Sequence, residues 1–278
     1  MFTSVFPAVM FVGLLTGTFG SMVGLGGGVL LVPLLTLGLG VPIHQAIGAS
    51  LVAVIATSSA AATAYLEDHF TNVRLAMVLE TTTVCGAILG GLSAVALSRT
   101  VLTGLFAAAL AFVGVAMVCR QTRDDTPMGE TAGSLALGGS YYDPVLRRRV
   151  RYGVRNLPVG LAVSFVAGNI SGLLGIGGGV IKVPALVLAM GVPIRAAVAT
   201  SNFMIGVTAV ASAYIYYSRG FIVPQVAVPT AVGVFLGALL GTRLVKRLQA
   251  RWLEVIFALV LLVFAAQMAL QALGLAWH

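Results

Sequence analysis

The apolar positions of this chain gather into runs long enough to be continuous helices, separated by short polar stretches and interrupted twice by glycine. The first run, Val5 to Val23, ends in Gly24-Leu25-Gly26-Gly27-Gly28, and a short apolar stretch from Val29 to Leu39 follows, with Pro33 inside it. Pro42 opens the next run, to about Leu66, where its missing N–H costs nothing at a helix start. Glu67-Asp68-His69 is a polar turn. A helix is predicted from about Asn72 to Ser98, then a tight connection at Arg99-Thr100 and a fifth helix ending near Cys119. Arg120 to Arg155 breaks the pattern with charges, Gly and Pro, no sustained apolar run, and the basic cluster Arg147-Arg148-Arg149-Val150-Arg151. The runs then resume as Leu157 to Leu174, Val180 to Met190, Pro193 to Tyr217, Phe221 to Leu244 and Leu253 to Leu275.

The second set of runs repeats the first. Gly175-Ile176-Gly177-Gly178-Gly179 answers the first glycine cluster at an offset of 151 residues, and 13 of the 20 positions from Gly24 to Ile43 are identical to their counterparts. The same offset pairs Ser50 with Ser201, Tyr65 with Tyr216, Phe70 with Phe221, Gly86 with Gly237 and Gly90 with Gly241. The chain is an internal duplication, and each half carries a glycine-rich break within a strongly apolar run.

Composition identifies the solvent. Of 278 residues 59% are hydrophobic and 9% charged, with a mean hydropathy of +1.05; a soluble domain carries about a quarter charged residues. Runs this long suit a hydrocarbon core ~30 Å thick, and Gly and Pro inside them are common in membrane helices. The net charge of +8 reads as basic cytoplasmic loops rather than a nucleic-acid surface. Cys85 and Cys119 have no ligand spacing and read as packing residues. The first ten residues lack a basic stretch and do not read as a cleaved signal.

Parity and charge set the expected topology. An 11-residue helix is roughly 16 Å long, too short to cross alone. Val29–Leu39 therefore completes a broken helix, returns as a re-entrant hairpin, or crosses where the bilayer is thinned. A hairpin or a full crossing gives each half an odd number of side changes, so the halves are inverted. With the Arg120–Arg155 segment inside, this arrangement also puts Arg74, Arg195, Arg243, Lys246, Arg247 and Arg251 inside, leaving only Arg99 and Arg219 outside. Parallel halves would expose the Arg243–Arg251 cluster outside, against the positive-inside rule. The expectation is an all-α polytopic protein of two inverted repeats, each a Gly-broken or re-entrant helix pair plus three spanning helices, with both termini outside. Residues 1–119 form the first membrane repeat, 120–155 a cytoplasmic linker and 156–278 the second repeat.

A break in an apolar helix survives in a membrane only where protein or a water-filled cavity satisfies the freed backbone, since each unpaired group costs several kcal/mol. The amides at the starts of the Val29 and Val180 helices carry a partial positive charge, and two such ends brought together would hold an anion near the midplane. The candidate binding residues are Gly24, Gly26, Gly27, Gly28, Ser50, Gly175, Gly177, Gly178, Gly179, Lys182, Ser201 and Asn202. Asn169, Ser171 and Ser21, just before the breaks, cap a helix or touch the ligand. Gly86, Gly90, Gly237 and Gly241 read as helix-packing residues. Lys182 and Glu80 are charges within apolar runs and lack counterparts, the equivalent positions being Leu31 and Ala231. Lys182 either faces the site or snorkels to the inner interface. Glu80 either neutralises Lys182 in the empty site, carries a coupling proton, or caps a neighbouring helix. His44 and Arg195 read as interfacial.

The duplicated Gly-x-Gly-Gly-Gly-x-x-x-x-Pro, the Gly-Val-Pro break and the Ala/Thr-Ser start of the next helix resemble the TauE/SafE family of sulfite and organosulfonate permeases. The resemblance covers both halves and leaves out only the linker. It implies export or exchange of a small sulfur-containing anion across the cytoplasmic (inner) membrane, with the lipid bilayer and the anion as partners and no cofactor. A passive anion channel, or a permease for another small anion, is the alternative. His44, His69 and His278 have no metal spacing and no nucleophile–base pair is apparent, so an enzyme is not expected.

Overall fold

The computed structural model describes residues 2–23, 27–67, 70–120, 134–143, 148–244 and 250–275. Its first half holds α1 (Phe2–Val23), α2 (Gly28–Pro33), α3 (Ile43–Glu67), α4 (Val73–Ala96) and α5 (Arg99–Arg120). Its second half holds α6 (Leu157–Leu174), α7 (Gly179–Pro184), α8 (Ile194–Ser218), α9 (Pro224–Leu244) and α10 (Ala250–Ala272). Among the described residues six helices are long and apolar enough to cross a membrane. Phe11, Phe112, Leu259 and Val263 stand outward and exposed, as side chains facing lipid do.

The 151-residue offset holds in the helix boundaries. α2 and α7 coincide under it at both ends, as do α3 and α8, and α4 and α9 share their starting position, as do α5 and α10. Each short helix widens after its proline into a five-residue π-helical turn, Leu34–Gly38 and Ala185–Ala189. Pro33 and Pro184 supply no N–H to the preceding turn, and the ladder re-forms with a longer reach, as in the bond from the Met190 N–H to the Ala185 carbonyl (3.2 Å). The sequence reading placed these stretches as plain helix.

Packing crosses between the halves and is reciprocal. α1 lies on α9 and α6 on α4, while α5 lies on α10 and α3 on α8. Exchanging the halves reproduces this set, as a two-fold relation requires. Small residues permit the close approach. A Cβ at Gly86, Gly90, Gly168 or Gly172 would strike a backbone carbonyl across the α4–α6 contact, and one at Gly237 or Gly241 would strike α1. Contact order gives the directions. Gly86 meets Phe165 and Gly90 meets Asn169, so α4 and α6 run parallel; Gly233 meets Met10 and Gly237 meets Leu14, so α9 and α1 do too. Gly104 meets Ala272 whereas Gly114 meets Ala258 and Leu262, so α5 and α10 run antiparallel.

The all-α expectation needs one correction. Within the segment read as a linker, β1 (Ser134–Asp143) and β2 (Arg148–Val154) pair antiparallel, with Tyr141 opposite Val150. Val150, Tyr152 and Val154 alternate with Arg151 and Gly153, the period of a strand with one covered face. That face joins Leu75 and Leu79 of α4 and Met190, Val192 and Ala197 near α8 in a single apolar cluster. A search for long apolar runs passes over a pattern this short.

Candidate functional site

The two glycine breaks meet. Gly27 (φ 73°) and Gly178 (φ 69°) stand in left-handed backbone immediately before α2 and α7, a conformation closed to most side chains. Gly175 (φ 70°) ends α6 and Gly177 (φ 79°) continues the turn. The first bonds to these caps come from the Leu31 N–H to Gly27 O and the Ile181 and Lys182 N–H groups to Gly178 O. The amides of Gly28, Val29 and Leu30, and of Gly179 and Val180, lie ahead of those bonds at the helix starts.

Side chains of α3 and α8 tie the breaks together. The Ser50 hydroxyl donates to Gly175 O at 2.8 Å and lies 3.4 Å from Gly28 O, joining the first break to the second. Its counterpart Ser201 stands beside Gly179, and Ser171 beside Gly178. Both hydroxyls are buried without a hydrogen-bond partner among the described residues. A Cβ on Gly28 would fall 2.8 Å from Val54, and one on Gly177 would meet Ile205 at 2.9 Å and Val54 at 3.4 Å. Val54 and Ile205 are themselves counterparts at the 151-residue offset, so a symmetric apolar pair closes the centre.

The remaining sequence candidates divide. Gly24 and Gly26 lie outside the described residues. Asn202 is partly buried on α8. Ser21 donates to Thr18 O and packs against Gly241, which makes it a packing residue. Gly90 abuts the Asn169 backbone. His44 stacks on Phe221 at 4.8 Å and donates to Ala94 O at 3.2 Å.

Lys182 turns inward. Its residue is 2% exposed, and its ammonium donates to Thr208 Oγ1 at 2.9 Å, while the Thr208 hydroxyl reaches Glu80 Oε1 at 2.6 Å. Lys182 Nζ lies 4.0 Å from Glu80 Oε2. Thr208, the hinge of this triad, was missed in the sequence. It stands seven residues after Ser201, on the same helical face, and that spacing was the available signal. Val54 and Ile205 carried none beyond their matched positions.

On another face, Asn72 anchors the hairpin. Its Oδ1 accepts from the Leu75 N–H at 3.1 Å and caps α4, while its Nδ2 donates to Leu137 O (2.9 Å) and Tyr152 Oη (3.2 Å). Its own N–H donates to Thr200 Oγ1 at 3.0 Å, next to Ser201. Burial pushes the Tyr152 phenol above its ordinary value, against the Asn72 bond, and keeps it neutral. A cavity of about 190 Å³ between hairpin and helix is lined by Thr71, Asn72, Arg74, Tyr141 and Tyr152.

Six membrane-length helices among the described residues, with two glycine breaks in contact and a charged pair buried among them, are those of a multi-pass membrane protein. Residues 9–268 match the family described as Sulfite exporter TauE/SafE, and the chain belongs to that family. It is 25% identical over 270 residues to "Probable membrane transporter protein YunE" of Bacillus subtilis (strain 168), covering 95% of this chain and 97% of that one. It is 30% identical over 247 residues to a "Probable membrane transporter protein" of Xylella fastidiosa (strain 9a5c), covering 88% and 87%. A 91-residue stretch is 37% identical to "Sulfite exporter TauE/SafE family protein 5" of Arabidopsis thaliana, covering 33% and 20%. No solved structure matches. The protein is a membrane transporter of this family and not an enzyme.

Proposed function

We propose that the protein exports a small sulfur-containing anion, such as sulfite or an organosulfonate, across the cytoplasmic membrane by alternating access, with the anion held near the midplane between the two glycine breaks. The observation that carries this reading is the convergence of the breaks: Ser50 bonds to Gly175 O beside Gly28, and beside the second break the buried hydroxyls of Ser171 and Ser201 have no hydrogen-bond partner among the described residues. A sulfonate or sulfite oxygen accepts from hydroxyls and helix-start amides alike. Val54 and Ile205 fill the centre, so the anion reaches those donors when α3 and α8 part. The antiparallel course of α5 and α10, counterparts in the two halves, supports inverted repeats and a symmetric rocking motion.

The test is flux into liposomes. Saturable uptake of labelled sulfite or sulfoacetate, with counterflow driven by the same anion inside, is expected. Unsaturable flux without counterflow would make the protein a channel. No flux of either anion, with another anion moved instead, would remove the sulfur-anion assignment.

A further inference from the structure

We propose that Glu80 and Lys182 form a proton-operated charge switch that makes each anion cross together with one proton in the same direction. The inference rests on the anion-transport reading above. Its three parts stand on three elements: Glu80 on α4, Lys182 on α7 and Thr208 on α8. Lys182 and Glu80 are held through Thr208, with side chains 1% and 6% exposed. Glu80 Oε2 is buried without a hydrogen-bond partner among the described residues. Ionisable groups buried in a membrane are costly and mark ion and proton pathways.

The repeat supplies an internal control against a purely structural role. The counterparts of Glu80 and Lys182 are Ala231 and Leu31, so the threonine that answers Thr208, Thr57, faces no such charged pair at the matching positions, and its hydroxyl bonds back to Ala53 O and Val54 O as that of Thr208 does to Met204 O. The first half builds the same helices without the triad, so the fold does not require it. α7 begins at the second break, and a movement that opens that break shifts Lys182 against Glu80.

Charge balance sets the coupling. Ser201 and Thr208 share a face of α8 seven residues apart, so an anion at Ser201 lies roughly 10 Å from the Lys182 ammonium along the axis. While Glu80 is ionised the pair presents no net charge. A proton taken from the open side onto the free Glu80 oxygen converts carboxylate to acid and leaves the ammonium uncompensated, and the anion then restores neutrality. Proton and anion each favour the other's binding, and the coupling is reciprocal. The site crosses either empty with the pair ionised or loaded with both. Among the described residues, no other ionisable group stands at this level of the elements packed on the pair. α6 and the turn Ala185–Ala189 carry none. On α8, Arg195 lies in the first turn and Tyr214, Tyr216 and Tyr217 near the last, with the Tyr216 hydroxyl donated to Leu173 O. On α4, Arg74 lies in the first turn and Cys85 is exposed. Tyr141 and Tyr152 pack at the start of α4.

The purified protein in liposomes carrying an internal pH dye tests this with methanesulfonate, a monoanion, and sulfoacetate, a dianion. Inward methanesulfonate flux should acidify the lumen and ignore membrane potential, whereas sulfoacetate flux should respond to it. Glu80→Gln should bind both anions more tightly than wild type, with an affinity level across pH, and move no protons. Lys182→Met should weaken binding about tenfold, within the usual range of coupling. Should that variant not fold, the Glu80→Gln/Lys182→Met pair, which buries no charge, should show the same weak, pH-independent binding. Anion flux with opposite or absent proton movement, or a Glu80→Gln protein with the wild-type pH dependence, overturns the switch and leaves the transport reading standing. A wild-type protein that moves neither anion overturns both.

Discussion

Val54 and Ile205 show how a side chain with no chemistry of its own controls a site. Each leans on a glycine whose missing Cβ makes room for it, and both pack against Gly177 where the two breaks meet. Ile205 is 5% exposed, so Ile205→Ala should cost roughly 2–5 kcal/mol by the usual price of an apolar cavity, read as a fall in thermal stability in detergent. The space it leaves lies beside Gly177 and Gly179, and competition by larger sulfonates for labelled sulfite should strengthen in the variant. An unchanged ranking of competitors would place the anion elsewhere. Among the polar candidates the same scale separates like from like. Ser50 is consumed by the Gly175 carbonyl, whereas Ser201, its counterpart, has no hydrogen-bond partner among the described residues.

At the scale of elements, the hairpin is the addition that most changes the picture. Asn72 alone caps α4, holds β1 and β2 through Leu137 and Tyr152, and passes its own N–H to Thr200 on α8. Asn72→Ala should cost about 1–2 kcal/mol for the cap and also free the hairpin. Limited proteolysis of residues 120–155 should then run faster than in wild type, with the membrane helices left intact. Equal cleavage rates would mean that the apolar face of Tyr141, Tyr152 and Val154 docks the hairpin without Asn72. The π-helical turns are the other element-level feature, and each follows a proline at the same place in its half.

For the whole molecule, the proposed inverted halves, which the antiparallel course of α5 and α10 supports, are tested by sidedness. In a background lacking Cys85 and Cys119, Arg219→Cys should react with an impermeant thiol reagent from outside, and Arg247→Cys only from inside. Reaction of both from one side would rule out inverted halves. The duplication, the membrane class and most helix boundaries were legible in the sequence, because apolar runs and a fixed 151-residue offset are local, repeated signals. Leu157–Leu174 is found where it was expected, and the glycines read as packing residues, Gly86, Gly90, Gly237 and Gly241, sit at backbone contacts. What only the tertiary structure decided is which groups meet. Lys182 faces Glu80 rather than an interface because Thr208 of α8 stands between them, and no periodicity within α7 encodes a neighbour 26 residues away on another helix. The hairpin needed its partner face on α4 for the alternation of Val150, Tyr152 and Val154 to become a strand. The sequence by itself determines the elements because their hydrogen bonds and apolar stripes are made within a few residues. The site is decided by packing between halves, where distance along the chain carries no information about distance in space.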